Sequence, residues 1–474
     1  MILNAKKRWM AFALLCLGDL MIVLDMSVVN IALPSIQSEL GFSSSSLVWV
    51  VNAYLLTFGG FLLLGGRLGD LYGQRKLFLT GLSIFTVASL VCGVSTSQEM
   101  LVIARAVQGV GGAIASAIAF SLVITLFTDH YERTKARGIF GFIMAGGGSV
   151  GVLVGGILTA IDWHWNFLIN IPIGILVFIL CMYLLPDIRT HKEKENLDVF
   201  GAVSITVSLL CAMFAVIGGE ATGWLSFQTL SLLSFAVIIF LVFLWWENRT
   251  ESPLIPLSLF RSRNLSVASI IGILWSAAMF SWFFMSALYM QFVLQYSPEQ
   301  VGLAFLPANI IMALFSIGLS AKMVARFGIC KPITWGLSLA SVGLFLFVRA
   351  PVEGVFWIHV FPSMMLLGLG AGMAFNPVLI GSMSEVRPED NGVASGVVNT
   401  GFMMGGSLGL AILVSISASR TQVLLEKGVE SVSALNSGYH AAFLIGGIFA
   451  IIAAMLAMYL LKEPSVNQNT HQVH

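Results

Sequence analysis

Apolar segments of about twenty residues recur along the chain, and short polar stretches separate them. Crossing about 30 Å of hydrocarbon takes about 20 apolar residues at 1.5 Å per residue, so each segment is long enough to span a bilayer as a helix. Only 10% of the 474 residues are charged, against about 25% in soluble domains. The sequence predicts an all-α polytopic membrane protein with fourteen spans. These are 9–33, 47–66, 77–95, 99–126, 136–160, 165–185, 198–217, 228–247, 265–293, 300–320, 332–349, 356–380, 393–416 and 439–461.

The basic residues indicate which way the spans point. If the N-terminus is cytoplasmic, the inner loops hold all of the 24 lysines and arginines except Arg105, which is within a span, and Arg349, Arg420 and Lys427. Cytoplasmic loops of membrane proteins carry such an excess of basic residues. Both termini are therefore predicted to be cytoplasmic. The protein itself is predicted to lie in the inner membrane of a bacterial cell. The net charge of +1 gives no indication of a nucleic-acid partner.

Two longer inner loops, 186–197 and 248–264, bracket a pair of spans that is poor in motif residues. Outside that pair a weak internal repeat is present, because segment 66–76 aligns with 321–331 at an offset near 255. A glycine pattern repeats at offset 254, with Gly147, Gly151 and Gly155 matching Gly401, Gly405 and Gly409. Such repeats are a transporter architecture. The predicted units are an N-terminal six-helix bundle (1–185), an inserted helix pair with cytoplasmic linkers (186–264), a C-terminal six-helix bundle (265–461) and a cytoplasmic tail (462–474).

A carboxylate lies at a depth where lipid disfavours it. Asp25 falls inside the first span, in the run L-D-M-S-V-V-N-I-A-L-P that extends from Leu24 to Pro34. A charge at bilayer depth costs roughly 2.5 to 3.5 kcal/mol on insertion scales, so it normally faces a cavity or a partner. Arg105 lies at similar depth in the fourth span, on one helical face with Gln108, Gly109, Gly112 and Ser116. We expect the two charges to pair and Asp25 to carry a proton, the alternative being a static buried ion pair.

Asp19 is a second acid in the same span. It lies six residues before Asp25 and therefore about 120° around the helix, so the two side chains cannot point at one spot. Asp19 shares a face with Asn30 instead. It is either a hydrogen-bond acceptor for a neighbouring helix or a counter-ion for a cationic substrate.

The loop after the second span, with the sequence G-R-L-G-D-L-Y-G-Q-R-K over residues 66–76, combines glycines, an acid and cations. Its glycines permit close helix approach, Asp70 can cap a helix or pair across the bundle interface, and the terminal cations anchor the cytoplasmic face. In the fifth span, glycines at every fourth residue favour close helix packing. The residues expected to govern conformational change are Gly66, Asp70, Gly73, Arg75, Gly147, Gly151 and Gly155.

These motifs resemble those of one family. Segment 66–76 resembles the loop signature of the major facilitator superfamily, G-x-L-x-D-x-x-G-x-R-K. The run R-A-V-Q-G-V-G-G-A over residues 105–113 is similar to its fourth-helix motif, whose arginine is implicated in proton transfer. Segment 24–34 and the run W-V-V-N-A-Y-L-L over residues 49–56 resemble the first two helices of the fourteen-helix drug:proton antiporter family. The run G-G-S-V-G-V-L-V-G-G over residues 147–156 resembles the antiporter motif G-x-x-x-G-P-x-x-G-G.

The resemblance covers nearly the whole chain, with three departures in the motifs, one of which is the replacement of the usual polar pair by Phe402 and Met403. Val152 stands where the antiporter motif has proline. In the segment from Trp163 to Pro172, with the sequence W-H-W-N-F-L-I-N-I-P, His164 stands where arginine is common. The resemblance implies the major facilitator fold, two six-helix bundles plus two extra helices, and proton-coupled drug export.

Aromatic and amide side chains are candidates for substrate contact. Aromatic faces with a few amides suit flat, amphipathic organic cations through cation-π and apolar contact, although core packing alone explains many of them. The candidate substrate-binding residues are Asp19, Asn30, Tyr54, Trp275, Phe283, Tyr289, Asn309, Asn376 and Asn399.

The function predicted is antiport of protons against hydrophobic, cationic drugs and toxic compounds by alternating access. The partners are small amphipathic substrates, protons and the bilayer, with no cofactor and no metal, and a periplasmic adaptor protein is left open. Two alternatives stay open, a dedicated exporter of one metabolite, antibiotic or siderophore and an uptake symporter. An enzyme is disfavoured, because the seven histidines do not cluster with cysteines or acids. No phosphate-binding nucleotide motif is present, which disfavours direct use of ATP.

Overall fold

The computed structural model describes residues 5–43, 45–127, 129–185, 198–251, 253–315, 319–386 and 391–463. Within these ranges the regular structure is helical throughout. The helices of the N-terminal half are α1 (Ala5–Leu40), α2 (Trp49–Tyr72), α3 (Gln74–Gly93), α4 (Gln98–Leu126), α5 (His130–Ile161), α6 (Trp165–Leu168) and α7 (Asn170–Leu184). They are followed by α8 (Val199–Thr222), α9 (Phe227–Glu247), α10 (Arg263–Leu288), α11 (Pro298–Leu314), α12 (Ser320–Phe327), α13 (Cys330–Phe347), α14 (Phe361–Met383), α15 (Asn391–Glu426) and α16 (Ser431–Tyr459).

The helices are long and apolar enough for a membrane. Over the described ranges, 11 meet the length and hydropathy needed to cross one, and shorter apolar helices cover Ser46–Leu62, Val150–Ile161 and Pro298–Leu314. This pattern is compatible with fourteen spans when α6 and α7 are counted as one span and α11 and α12 as another. The predicted all-α polytopic membrane fold is confirmed.

Several helices extend beyond their predicted apolar spans. α1 continues through Pro34 to Leu40, and α15 continues to Glu426. Hydropathy detects only the part of a helix that lies in hydrocarbon, so polar helix ends that project beyond it are missed. Proline lacks an N–H and kinks soluble helices, but packing against neighbouring helices makes it tolerable in membrane helices. Asp25 is therefore deeper within its helix than the predicted span implied.

α1 to α7 pack against one another, and so do α10 to α16. The two sets meet where α2 packs on α15 and α5 packs on α11. The α8–α9 hairpin lies against α2 and α15, and much of α9 is exposed, as at Ile238 and Leu241 (57% each). The predicted linker 186–197 lies outside the described residues, as does most of the predicted tail, and the domain boundaries stay predictions.

Two glycine stripes hold equivalent helix pairs together. A Cβ at Gly151 would lie 2.8 Å from Ser27 Cβ, and one at Gly155 would lie 2.8 Å from Val28 Cα, so the α5 stripe packs directly on α1. In the second half, a Cβ at Gly405 would lie 2.8 Å from the Cα of Ile273 in α10. The repeated glycine spacing in the sequence therefore corresponds to a repeated helix contact. It places the α1 segment that carries both acids against a close-packed neighbour.

Candidate functional site

An ion pair is buried in the middle of the N-terminal half. Arg105 Nη1 of α4 donates to Asp25 Oδ2 of α1 at 2.5 Å, and both residues are 1% exposed. Removing one partner of such a pair leaves an uncompensated buried charge, which is costly. The structure therefore brings together the two charges that the sequence placed at similar depth.

Two amides complete the shell of the carboxylate. Gln108 Nε2 and Asn170 Nδ2 donate to Asp25 Oδ1 at 2.8 and 3.0 Å, and the Gln108 oxygen accepts from Arg105 at 2.6 Å. Both amide nitrogens also reach Ser89 Oγ, at 2.7 and 3.3 Å. Three N–H donors converge on one carboxyl group, which is the arrangement expected around an ionised carboxylate.

The arginine is fixed by α2 as well. Its Nε donates to the backbone oxygen of Val50 at 3.0 Å, and its Cζ lies 4.3 Å from the centroid of the Tyr54 ring. Phe167 covers it from another side, at 5.6 Å from Cζ to the centroid. A guanidinium held by hydrogen bonds and aromatic faces remains solvated by protein groups when its carboxylate partner is neutralised.

Small residues in α4 let α2 come close enough to make these contacts. A Cβ at Gly109 would lie 2.2 Å from Thr57 Oγ1 and 2.5 Å from the backbone oxygen of Tyr54. Any side chain at this position would push α2 away and separate Tyr54 from Arg105. The glycine in the fourth-helix motif is therefore required by the site itself.

Asp19 lies about two turns of α1 from Asp25, toward the N-terminal end of the helix, and is 1% exposed. Neither of its carboxyl oxygens has a hydrogen bond of ordinary geometry within the described part of the chain, and Ser116 of α4 is its polar neighbour. Asn30, which shares its helical face, turns its amide back to the Met26 oxygen of the same helix at 3.3 Å. Among the described residues Asp19 is therefore a buried acid without a counter-ion, unlike Asp25.

The candidate substrate residues are either buried or half-buried. Tyr54 belongs to the ion-pair site, and Tyr289 donates its hydroxyl to the Pro351 oxygen at 2.8 Å. Trp275 and Asn309 are buried with side-chain nitrogens that have no partner among the described residues. Half-buried candidates are Phe283, stacked on Phe305 at 5.4 Å, together with Asn376 and Asn399. Their substrate roles stay predictions.

The loop between α2 and α3 requires a glycine at position 73 because of the backbone conformation there. Gly73 has φ 95°, a left-handed conformation that side chains disfavour, and it is the residue that links the two helices. Arg75 donates to the backbone oxygen of Met182 in α7, so it ties the loop to the same half. No described atom lies within 4 Å of a Cβ at Gly66, and the side chain of Asp70 lies outside the described residues.

A second polar cluster lies near the C-terminal end of α1. We call this end of the molecule the distal face. Trp163 Nε1 donates to Glu39 Oε2 at 2.7 Å, and His164 Nδ1 lies 2.6 Å from Asp162 Oδ1. His164 Nε2 is 3.9 Å from Glu39 Oε1. The bonds from His164 lower the pKa of Asp162.

Asn170 and Ser89 were not among the residues that sequence reasoning selected. Asn170 is an amide inside an apolar segment, and the criterion that singled out Asp25 also applies to it in weaker form, because a buried amide needs hydrogen-bond partners. Ser89 gives no such signal, since a serine in a membrane helix can bond to its own backbone.

A bundle of apolar helices built from two similar halves, with an ion pair buried inside one half, is the architecture of a membrane transporter. The chain belongs to the Major Facilitator Superfamily, whose family model matches residues 15–410. The resemblance drawn from the sequence motifs is thereby confirmed at the level of the superfamily, and the chain is a multi-pass membrane protein.

Relatives named for drug resistance match most of the chain. It is 34% identical over 96% of its length to the puromycin resistance protein pur8 of Streptomyces alboniger, covering 92% of that protein. It is 32% identical over 87% of its length to the multidrug resistance protein Stp of Mycobacterium tuberculosis, covering 76% of that protein. The crystal structure of an auto-inhibited POT family peptide transporter has the same fold, with a TM-score of 0.68 at 14% identity, over 98% of this chain and 99% of that one.

Proposed function

We propose that the protein is a proton-coupled antiporter that exports hydrophobic organic cations from a bacterial cell, with the distal face outside and both termini in the cytoplasm. The observation that carries the proposal is the buried Asp25–Arg105 pair, closed by Gln108 and Asn170. The names of relatives, which denote antibiotic and multidrug resistance, support the direction of transport.

In this mechanism Asp25 alternates between two states. Ionised, it is held by Arg105 and two amides. When a proton binds, the carboxyl group loses its attraction for Arg105, which keeps its bonds to Gln108 and Val50. An inward proton supplies about 2.3 kcal/mol per 100 mV of membrane potential and about 1.4 kcal/mol per pH unit. Release of the ion pair changes how α1 and α4 are held together, which couples proton occupancy to movement of the helices.

Asp19 supplies the substrate contact in the same proposal. An ionised carboxylate buried without a cation is costly, and a monovalent organic cation supplies the missing charge. In this proposal Asp25 binds the proton and Asp19 binds the drug.

The test is efflux of ethidium from cells that express the chain, with and without a protonophore. Asp25→Asn removes the titratable group but keeps its shape, so we expect loss of protonophore-sensitive efflux, while the purified variant still binds tetraphenylphosphonium. Glu99→Gln, which neutralises an exposed acid in the first turn of α4, is the control. Full efflux by the Asp25→Asn variant would reject the assignment.

A dedicated exporter of one antibiotic is the second candidate, since one relative is named for resistance to puromycin alone. Export measured for a panel of chemically unrelated cations and for puromycin separates the two candidates. A multidrug transporter exports most of the panel, and a dedicated exporter handles one compound.

A further inference from the structure

The ion pair of Asp25 and Arg105 is buried, so a proton from the distal face needs a path through the protein to reach it. Polar side chains occur at successive levels of the α6–α7 span between that face and Asp25. His164 is at the surface, Asn166 lies in the first turn, and Asn170 lies one turn further in. Residues four apart on a helix share a face, so Asn166 and Asn170 are stacked along one line.

The outermost level holds exchangeable groups. His164 is 21% exposed and faces Asp162, 50% exposed, and Glu39, 53% exposed, by the distances given above. These two acids, one in its own loop and one at the end of α1, are the charged groups with which His164 makes contact in the described structure. An imidazole ring can accept a proton at one nitrogen and release one from the other, and flanking carboxylates attract protons from bulk water.

The middle level holds an unpaired acceptor. Asn166 is 0% exposed, and its Nδ2 donates to Thr159 Oγ1 at 2.6 Å. Its Oδ1 is buried and has no hydrogen-bond partner among the described residues. Buried polar atoms are nearly always bonded, if not to protein then to an internal water. Asn166 and Thr159 thus form a polar position that suits a water molecule inside an apolar bundle.

The innermost level is in direct contact with the acid. Asn170 Nδ2 donates to Asp25 Oδ1 at 3.0 Å. An amide has both a donor and an acceptor end, so rotation of the Asn170 amide presents its oxygen to a protonated carboxyl group. Asn170 can therefore bond to Asp25 in both of its charge states.

We propose that protons reach Asp25 from the distal face along this line, with Glu39, Asp162 and His164 as the surface group that collects them and with Asn166, Thr159 and Asn170 as positioning residues for water. This rests on the proposed function. The proton leaves the surface group, passes from water to water, and binds Asp25 Oδ1. Each water accepts one proton and releases another, the amides keep theirs, and the surface group regains a proton from bulk water. The net change is transfer of one proton from bulk water at the distal face to the Asp25 carboxylate.

The first test is the variant Asn166→Leu in liposomes that contain a pH-sensitive dye, with acid applied at the distal face and tetraphenylphosphonium inside. Leucine fills a similar space and cannot hold water, so we expect proton entry to slow by about tenfold, as for loss of a hydrogen bond worth ~1.4 kcal/mol in the transfer step. Tetraphenylphosphonium binding and the thermal midpoint should match those of the unmodified protein.

Asn436→Leu is the matched control, because Asn436 is also buried, donates once to a backbone oxygen, at Ala350, and also has an unpaired Oδ1 among the described residues. It lies in the C-terminal half, away from the proposed line, and should leave proton entry unchanged. Unchanged proton entry in Asn166→Leu, or an equal effect in the control, overturns the proposal.

A second variant tests the surface group by its pH profile. His164→Gln should slow proton entry most at an external pH near ~7.5, and the deficit should vanish near pH ~5, where bulk protons are abundant enough to bypass the collecting group. A deficit that is independent of pH overturns this role.

The two proposals can fail separately. If the unmodified protein couples no proton entry to cation exit, the proposed function fails. If the unmodified protein couples them and both variants behave like it, only the route fails.

Discussion

At the scale of single residues, the two acids of α1 differ in what surrounds them. Asp25 has one cation and two amides as hydrogen-bond donors, whereas Asp19 is equally buried and has none of ordinary geometry among the described residues. A carboxylate whose oxygens already accept hydrogen bonds from a cation and amides binds a second cation weakly. A carboxylate without such donors binds a cation more favourably. The local hydrogen bonds therefore distinguish the two acids, although their sequence contexts are similar.

Replacing Asp19 tests its role as a counter-ion. Asp19→Asn removes the charge with little change in volume, so we expect affinity for tetraphenylphosphonium to fall by about tenfold or more, as for loss of a buried charge partner. Affinity for an uncharged drug such as chloramphenicol should change little. Equilibrium binding to the purified protein measures both, and equal losses for the two ligands would contradict the counter-ion role.

The sequence was sufficient to find Asp25 and Arg105, because charges in apolar spans are rare and costly. It was not sufficient to find Asn170, whose contact with Asp25 joins residues 145 positions apart. Hydropathy and helical spacing describe one helix at a time. Which helix faces which, and at what rotation, depends on the packing of all of them.

At the scale of helices, glycines decide how closely α1 is held. Both Gly148 and Gly151 face Ser27, but a Cβ at Gly148 would lie 3.5 Å from its Oγ, which is ordinary contact. A Cβ at Gly151 would lie 2.8 Å from Ser27 Cβ and 3.2 Å from the Leu24 backbone. Two glycines three residues apart thus tolerate a methyl group very differently.

This difference gives a matched pair of variants. Gly151→Ala should force α1 and α5 apart, with a destabilisation of about 1 to 3 kcal/mol typical of overpacking and loss of most ethidium efflux, because α1 carries both acids. Gly148→Ala should retain stability and transport. Thermal unfolding in detergent and efflux from cells measure the two effects, and equal behaviour of both variants would show that the α1–α5 contact is not limiting.

The all-helical, polytopic character of the fold could be predicted because each span needs its own apolar run, and the helices of the described residues are compatible with the predicted fourteen spans. Helix ends could not, as α1 and α15 show by continuing past their apolar runs. The glycine stripes were predicted as packing surfaces, and the structure adds which helix each of them contacts.

At the scale of the whole molecule, the two halves touch closely on the distal side. The Cα of Gly302 in α11 lies 3.5 Å from the Cβ position of Gly156 in α5, and Gln291 Nε2 donates to the Ile31 oxygen of α1 at 3.0 Å. Alternating access requires these contacts to separate when substrate leaves through the distal face. The contacts join residues from different halves, so no motif within one half predicts them.

Cysteines at Gly156 and Gly302 test this movement, since the Cβ position of each lies 3.5 Å from the Cα of the other, close enough for the two side chains to meet. In the double variant, a mild oxidant should form a cross-link that stops ethidium efflux, and a reductant should restore it. A Cβ at Gly156 would lie 2.9 Å from the Pro298 oxygen and one at Gly302 would lie 3.1 Å from the Val152 oxygen, so each cysteine lowers efflux by itself. Each single variant therefore serves as a control for this loss, and the oxidant should not lower its efflux further. Undiminished efflux in the fully cross-linked protein would show that this contact stays closed throughout transport.

The central claim is that Asp25 carries the proton that drives export. Its most direct test is simultaneous measurement of proton entry and tetraphenylphosphonium exit in liposomes that contain the unmodified protein or its Asp25→Asn variant. We expect the unmodified protein to move the two in opposite directions in a fixed ratio, and the variant to move no protons against the drug. Proton-coupled exit of the cation through the Asp25→Asn variant would contradict the account.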